Sequence, residues 1–256
     1  MSGLLTWDLD DTLVDNVHDY ADPILDACRL IIHELGAKAP HVSALIALEQ
    51  EIDKKRVGEI NPVTGKPFGY TMERFPGTMV ETYRAVCIRS GVSPKLIVET
   101  ELYRIGMTAF DRQRYRENIK PGALNAVRRA VSNGWKNVLL TKGDPQVQRA
   151  KIEALTTDVD GLFAEVVIVE LAKTSEVFQD ILAKHGSSGM EAYSIGNDYN
   201  KDIAPALCAG LHYRGIWIPV ETWETIGTTD ALRKAMSNRC VALTSLIQLP
   251  HYLSFK

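Results

Sequence analysis

The sequence predicts an α/β protein: a parallel sheet with helices on both faces, plus an all-helical module inserted near the start. Three observations carry this. From Trp135 onward, short apolar runs of strand length alternate with helical stretches, as in successive βαβ units. From Asp15 to about Ile119 the apolar residues recur at helical spacing with no convincing strand, over a length too great for a loop. Ahead of that module stands one strand-like run, Leu4 to Trp7, which stops at the carboxylates of Asp8-Leu9-Asp10.

Taken in order, the first helix carries Tyr20, Ile24, Leu25, Cys28, Ile31, Ile32 and Leu35 at spacings of three and four, with Gly36 as its stop. A second runs from about His41 to Val57, before a turn-rich loop from Asn61 to Gly69. Met79, Val80, Tyr83, Val86 and Cys87 mark a third, ending at Gly91. Ser93-Pro94 reads as an N-cap with proline at the first helical position, opening a helix with Leu96, Leu102, Ile105 and Phe110.

At Pro121-Gly122 the character changes. A helix with Leu124, Val127 and Val131 stops at Gly134, and a strand from Trp135 leads to Thr141. Helix 145–155, strand 164–169, helix 175–184, strand 191–195, helix 203–209 and strand 213–218 continue the alternation. Residues 241–243 offer an edge strand and 246–253 a last helix.

Composition excludes several classes. A net charge of -3 gives no general reason to expect nucleic acid or an anionic membrane. The four cysteines lack CxxC spacing, which argues against a disulfide framework or zinc site and for a reducing cytoplasm. No apolar run reaches membrane-spanning length, and Asp8 leaves no room for a signal peptide before it.

Four polar positions fall at predicted strand ends, where parallel sheets bind ligands. Asp8 and Asp10, followed by Thr12, are close enough to repel unless a cation neutralises them or one holds a proton. That suits a hard divalent ion or a nucleophile beside an acid/base, although Asp-Asp-Thr also suits a simple turn or cap. Thr141, with Lys142 and the backbone around Gly143, has donors for a phosphate. Lys173 sits at a helix start, where the dipole disfavours it. Gly196-Asn197-Asp198, with Asp202 at the next helix, supplies hard oxygens suited to magnesium, or an Asx-rich turn with Asp202 as N-cap.

A carboxylate pair, a threonine, a lysine and an acidic glycine-containing cluster, in that order, resemble the four motifs of the haloacid dehalogenase superfamily. The resemblance covers the whole chain. It implies a Rossmann-like core over residues 1–15 and 119–256 and a helical cap over 16–118. One departure stands out: Asn197 occupies the place where aspartate usually follows the glycine, with Asp198 one residue later.

The resemblance implies a Mg2+-dependent phosphatase of a small phosphorylated molecule. Asp8 would be the nucleophile and Asp10 the acid/base, with Thr141 and Lys173 holding phosphoryl oxygens. The ion would sit on Asp8, the Asp10 main chain, and Asn197, Asp198 or both. Asp202 would act through water or position Lys173. The cap would close over the site and choose the leaving group; Lys66, Arg74, Arg104 and Arg112 are candidates for meeting a distal charge. Asp10 favours phosphoryl transfer at oxygen, since dehalogenases and phosphonate hydrolases of the superfamily lack it. A sugar phosphomutase and an inactive binding module on the same scaffold are the alternatives.

Overall fold

The computed structural model describes residues 3–156, 161–187, 189–220 and 229–254. The elements, in chain order, are β1 (Gly3–Trp7), α1 (Val17–Leu35), α2 (Val42–Gly58), α3 (Arg74–Arg89), α4 (Leu96–Met107), α5 (Arg112–Glu117), α6 (Ala123–Ser132) and β2 (Lys136–Lys142). They continue with α7 (Pro145–Thr156), β3 (Glu165–Val169), α8 (Ser175–His185), β4 (Glu191–Gly196), α9 (Ala204–Ala209), β5 (Tyr213–Trp217), α10 (Thr229–Ala235), β6 (Cys240–Ala242) and α11 (Leu249–Tyr252). The chain forms two compact units, Met1–Asn16 with Tyr115–Lys256, and Val17–Arg114.

The first unit is a six-stranded parallel sheet of order β3-β2-β1-β4-β5-β6. Every residue of β1 is buried, because the strand lies mid-sheet with helices on both faces. Side chains alternate between those faces. Leu5, Trp7, Leu139 and Ile195 pack with Ala126 and Val127 of α6 and Ile152 and Leu155 of α7. Leu4, Val138, Leu140 and Ala192 pack with Phe178 and Ile181 of α8 and Ala206 of α9. The strand order reverses at β1, whose neighbours are β2 on one side and β4 on the other. Such a switch point opens a crevice beyond the carboxyl ends of the strands.

The second unit is helical, with one isolated bridge between Ile60 and Pro67. Its core gathers Ile31, Leu45, Phe75, Met79, Tyr83, Val86 and Leu102. Within it, Arg74 forms a buried ion pair with Asp53, and Thr78 Oγ1 donates to Asp53 Oδ1 at 3.1 Å. Arg104 is exposed and bound to Glu101 instead. Among the described residues, no helix is long and apolar enough to cross a membrane.

Three local expectations change. The helix predicted to begin behind Ser93-Pro94 starts at Leu96, with Lys95 as its cap residue. Lys95 N–H donates to Tyr83 Oη at 3.2 Å, so a tertiary bond satisfies an amide that a Ser93 cap would have served. Trp135 precedes β2 rather than opening it, and its indole fills the space a side chain at Gly3 would need. The single last helix is broken into a 3-10 turn (Leu246–Gln248) and the short α11, whose first turn contains Pro250.

Candidate active site

β1 delivers Asp8 to the switch point while still in the sheet, since Asp8 N–H donates to Ile195 O at 2.9 Å. Asp8 is buried. Thr12 Oγ1 donates to its Oδ2 at 2.6 Å, and Lys173 Nζ donates to its Oδ1. Lys173 arrives from beyond β3, just ahead of the Thr174 that precedes α8. Its ammonium also donates to Asp202 Oδ1 at 2.7 Å. One buried cation therefore serves two buried carboxylates. Burial, then the charge of Asp202, push the Asp8 carboxyl up to about 7 against the opposing pull of Lys173 and Thr12. Burial alone would lower Lys173, but the two carboxylates raise it and keep the ammonium charged.

Asp10 lies one residue beyond the buried Leu9, in a loop with Asp11 at φ 59°. Asn16 N–H donates to Asp11 Oδ1 at 2.9 Å and Lys120 Nζ to Asp11 O at 2.7 Å, which pins the loop. Two side chains of α7, absent from the residues singled out in the sequence, hold the Asp10 carboxylate. Lys151 Nζ donates to Oδ1 at 2.7 Å, and Gln148 Nε2 donates to Oδ2 at 2.9 Å. A signal existed: Gln148, Lys151, Ile152 and Leu155 share one helical stripe, so two polar residues interrupt an apolar face.

Thr141, on the same face of the sheet as Leu139, is fully buried, and its Oγ1 donates to Gln148 Oε1 at 2.8 Å. Lys142 closes β2 and is half-buried. Gly143 N–H donates to Val169 O at 3.0 Å, and at φ 148° it has Gln148 so close that a Cβ would meet Nε2 at 2.7 Å. The cap of α7 is Asp144, whose Oδ1 accepts from Gln146 N and Val147 N.

β4 ends at Gly196, where a Cβ would lie 2.3 Å from Asp202 Cβ. Glycine is needed there because the Asp202 side chain lies against the strand end. A π turn (Tyr199–Ile203) precedes α9. The expected N-cap at Asp202 is corrected: Asp198 caps this turn, its Oδ1 accepting from Asn200 N (2.9 Å) and Lys201 N (3.2 Å). Asp202 lies inside the turn, where its Oδ2 accepts from Asp198 N at 3.0 Å and its other oxygen pairs with Lys173. The buried ammonium outcompetes the helix start for this carboxylate. The main-chain O of Asn197 accepts from Trp217 Nε1 at 2.8 Å.

All four sequence-predicted strand-end positions thus lie in the first unit. Asp8, Thr12, Lys173 and Asp202 are linked directly, while Asp10 and Thr141 are linked through Gln148. Among the described residues, no three His, Cys, Asp or Glu side chains form a ready metal cluster.

The family model for haloacid dehalogenase-like hydrolases matches residues 3–210. No curated protein shows significant sequence similarity to the chain. Among solved structures, a haloacid dehalogenase-like family hydrolase from Xanthomonas campestris aligns at TM-score 0.64 and 19% identity, covering 98% of this chain and 94% of its own. A HAD phosphatase from Thermococcus onnurineus aligns at 0.57 and 14% identity, over 100% and 99% of the two chains. An L-2-haloacid dehalogenase from Xanthobacter autotrophicus, with chloropropionic acid covalently bound, aligns at 0.51 and 12% identity over 99% of each chain. These likenesses establish a common fold across proteins of different chemistry. With its family match spanning most of the sequence, and its acidic strand end at the switch point of the sheet, the chain belongs to the haloacid dehalogenase-like hydrolases.

Proposed function

We propose that the chain is a magnesium-dependent phosphohydrolase that forms an aspartyl-phosphate on Asp8 from a small phosphorylated molecule. The observation that carries the reading is Asp10: a second carboxylate follows the nucleophile, anchored on both oxygens by Lys151 and Gln148. A haloacid dehalogenase has no need of such a group, whereas ester hydrolysis needs a proton donor and acceptor.

The residues at the site suit a hard cation. With Asp8 ionised, it and Asp202 bring two negative charges against the single positive charge of Lys173, leaving one uncompensated. The carboxylate of Asp8, the main-chain carbonyl of Asp10 and oxygens of Asn197 and Asp198 would hold magnesium, whose charge lets an anionic phosphoryl group approach an anionic nucleophile.

Asp8 attacks phosphorus, and the bond from phosphorus to the ester oxygen breaks. Asp10 gives its proton to that oxygen and the alcohol leaves. Water then attacks the aspartyl-phosphate, returning a proton to Asp10 and freeing the Asp8 carboxylate with inorganic phosphate. Lys173 and Thr141 stabilise the phosphoryl oxygens, Thr141 by turning its hydroxyl from Gln148 toward the substrate.

The test is phosphate release from a panel of phosphorylated metabolites, with magnesium and with excess chelator. Magnesium-dependent release is the expected result. Halide release from a 2-haloacid with no phosphatase activity would overturn the reading.

A further inference from the structure

We infer that Lys151 and Gln148 are positioning residues that aim Asp10 at the leaving oxygen, an assignment that rests on the phosphohydrolase reading. Lys151 is pinned from three sides: Asp10 Oδ1 at 2.7 Å, Asn16 Oδ1 at 2.5 Å, and the Tyr115 ring, whose centroid lies 5.6 Å from Nζ. Its side chain is 3% exposed while that of Asp10 is 23% exposed. The cation is thus sealed behind a carboxylate that itself stays open, the reverse of an ordinary surface ion pair, in which both partners are solvated.

Gln148 completes the clamp. Its amide nitrogen donates to Asp10 Oδ2 and its amide oxygen accepts from Thr141 Oγ1, so one side chain bridges the two. With one donor on each oxygen, Asp10 cannot swing about its terminal torsion. Both donors come from one turn of α7, and α7 is itself packed on the sheet through Ile152 and Leu155. The rigid helix therefore sets the direction of a carboxylate that sits on a loop. The same clamp ties Asp10 to Thr141, so the proton-transfer group and a phosphoryl-oxygen donor share one support.

A residue that aims the proton donor matters most when the leaving oxygen is basic. The experiment compares kcat/KM, which reports steps through leaving-group expulsion, for phenyl, 4-nitrophenyl and 2,4-dinitrophenyl phosphate with magnesium. Lys151→Met and Gln148→Leu are expected to slow phenyl phosphate by about 100-fold and 2,4-dinitrophenyl phosphate by less than about 3-fold, since that phenolate leaves without a proton. Lys151→Arg, which keeps a cationic donor, should recover most of the loss. In an Asp10→Asn background, Lys151→Met should add little.

An equal fall across the three esters, or unchanged activity on phenyl phosphate, overturns the inference and leaves the phosphohydrolase reading standing. If Lys151→Met does not fold, Gln148→Leu decides alone. A wild-type protein inert toward all three esters and toward the metabolite panel overturns both.

Discussion

Lys173 Nζ lies 2.7 Å from Asp202 Oδ1, joining the segment after β3 to the turn after β4 across the two strands between them, β2 and β1. The same ammonium holds Asp8. The bridge therefore fixes the cation beside Asp8 and gives the acidic turn a buried anchor. Breaking it is expected to be costly, since a carboxylate buried at 3% exposure cannot be replaced by water.

Asp202→Ala is expected to lower folding stability by about 1–3 kcal/mol, more than loss of an exposed helix cap, because truncation removes the acceptor of Asp198 N–H as well as a buried charged bond. Urea unfolding of the variant beside Asp202→Asn checks this. A loss no larger than about 0.5 kcal/mol would show that the bridge contributes little.

Asp8→Asn should abolish turnover, by at least about 1000-fold, while the protein still folds. An amide cannot act as the anionic nucleophile. It would leave Lys173 and Asp202 as a one-to-one buried pair, so the melting temperature should hold or rise. Activity and thermal unfolding measured together separate the two effects, and near-normal turnover would remove Asp8 as nucleophile.

The fourth cluster makes a prediction about magnesium. Asp198→Ala is expected to raise the magnesium concentration for half-maximal activity more than Asn197→Ala does, because a neutral amide brings an oxygen but no countercharge. Asp198→Ala also removes the cap on Asn200 and Lys201, so its stability should fall by about 0.5–2 kcal/mol as well. A magnesium titration of both variants decides. A large rise in Asn197→Ala with no change in Asp198→Ala would make Asn197 the ligand and Asp198 only the cap.

The helical unit carries a pH dependence of its own. Burial, then the neighbouring Asp53 charge, push the Glu49 carboxyl from 4.5 up to about 8, with Arg74 pulling the other way. Below pH 4.5 the group is protonated in folded and unfolded chains alike. Between there and about 8 the unfolded chain ionises while the folded one holds its proton, so Glu49 erodes stability as pH rises, by up to about 5 kcal/mol. Glu49→Gln should therefore be more stable than the wild type at pH 8.5 and similar at pH 4.5. Equal unfolding midpoints at both pH values would show that Glu49 is solvated.

Much of this was legible in the sequence. Leu4–Trp7 and the run into Thr141 read as strands, and the helical spacing of residues 17–35 matched α1, because strand and helix periods depend on neighbours within a few residues. Asp8, Asp10 and Thr141 were conspicuous as polar residues where an apolar run stops, and Lys173 as a lysine at a helix start, where the dipole disfavours it. Gln148 and Lys151 were not, because they interrupt the apolar stripe of an ordinary helix, and spacing alone does not say what faces them. Asp202 looked like a cap because Asp caps helices, and only its neighbours show otherwise.

The sequence by itself determined the alternation of strands and helices, the helical insertion behind the first strand, and the polar residues at the strand ends. Only the tertiary structure decided how those residues pair: Lys173 with both Asp8 and Asp202, Lys151 with Asp10, and Thr141 with Gln148. Lys151 and Asp10 are 141 residues apart in the chain, and Lys173 and Asp8 are 165 apart. Local propensity acts through neighbours along the backbone. Charge pairing in a buried site depends instead on which strand ends lie side by side, and that is settled by the packing of β2, β1 and β4 into one sheet.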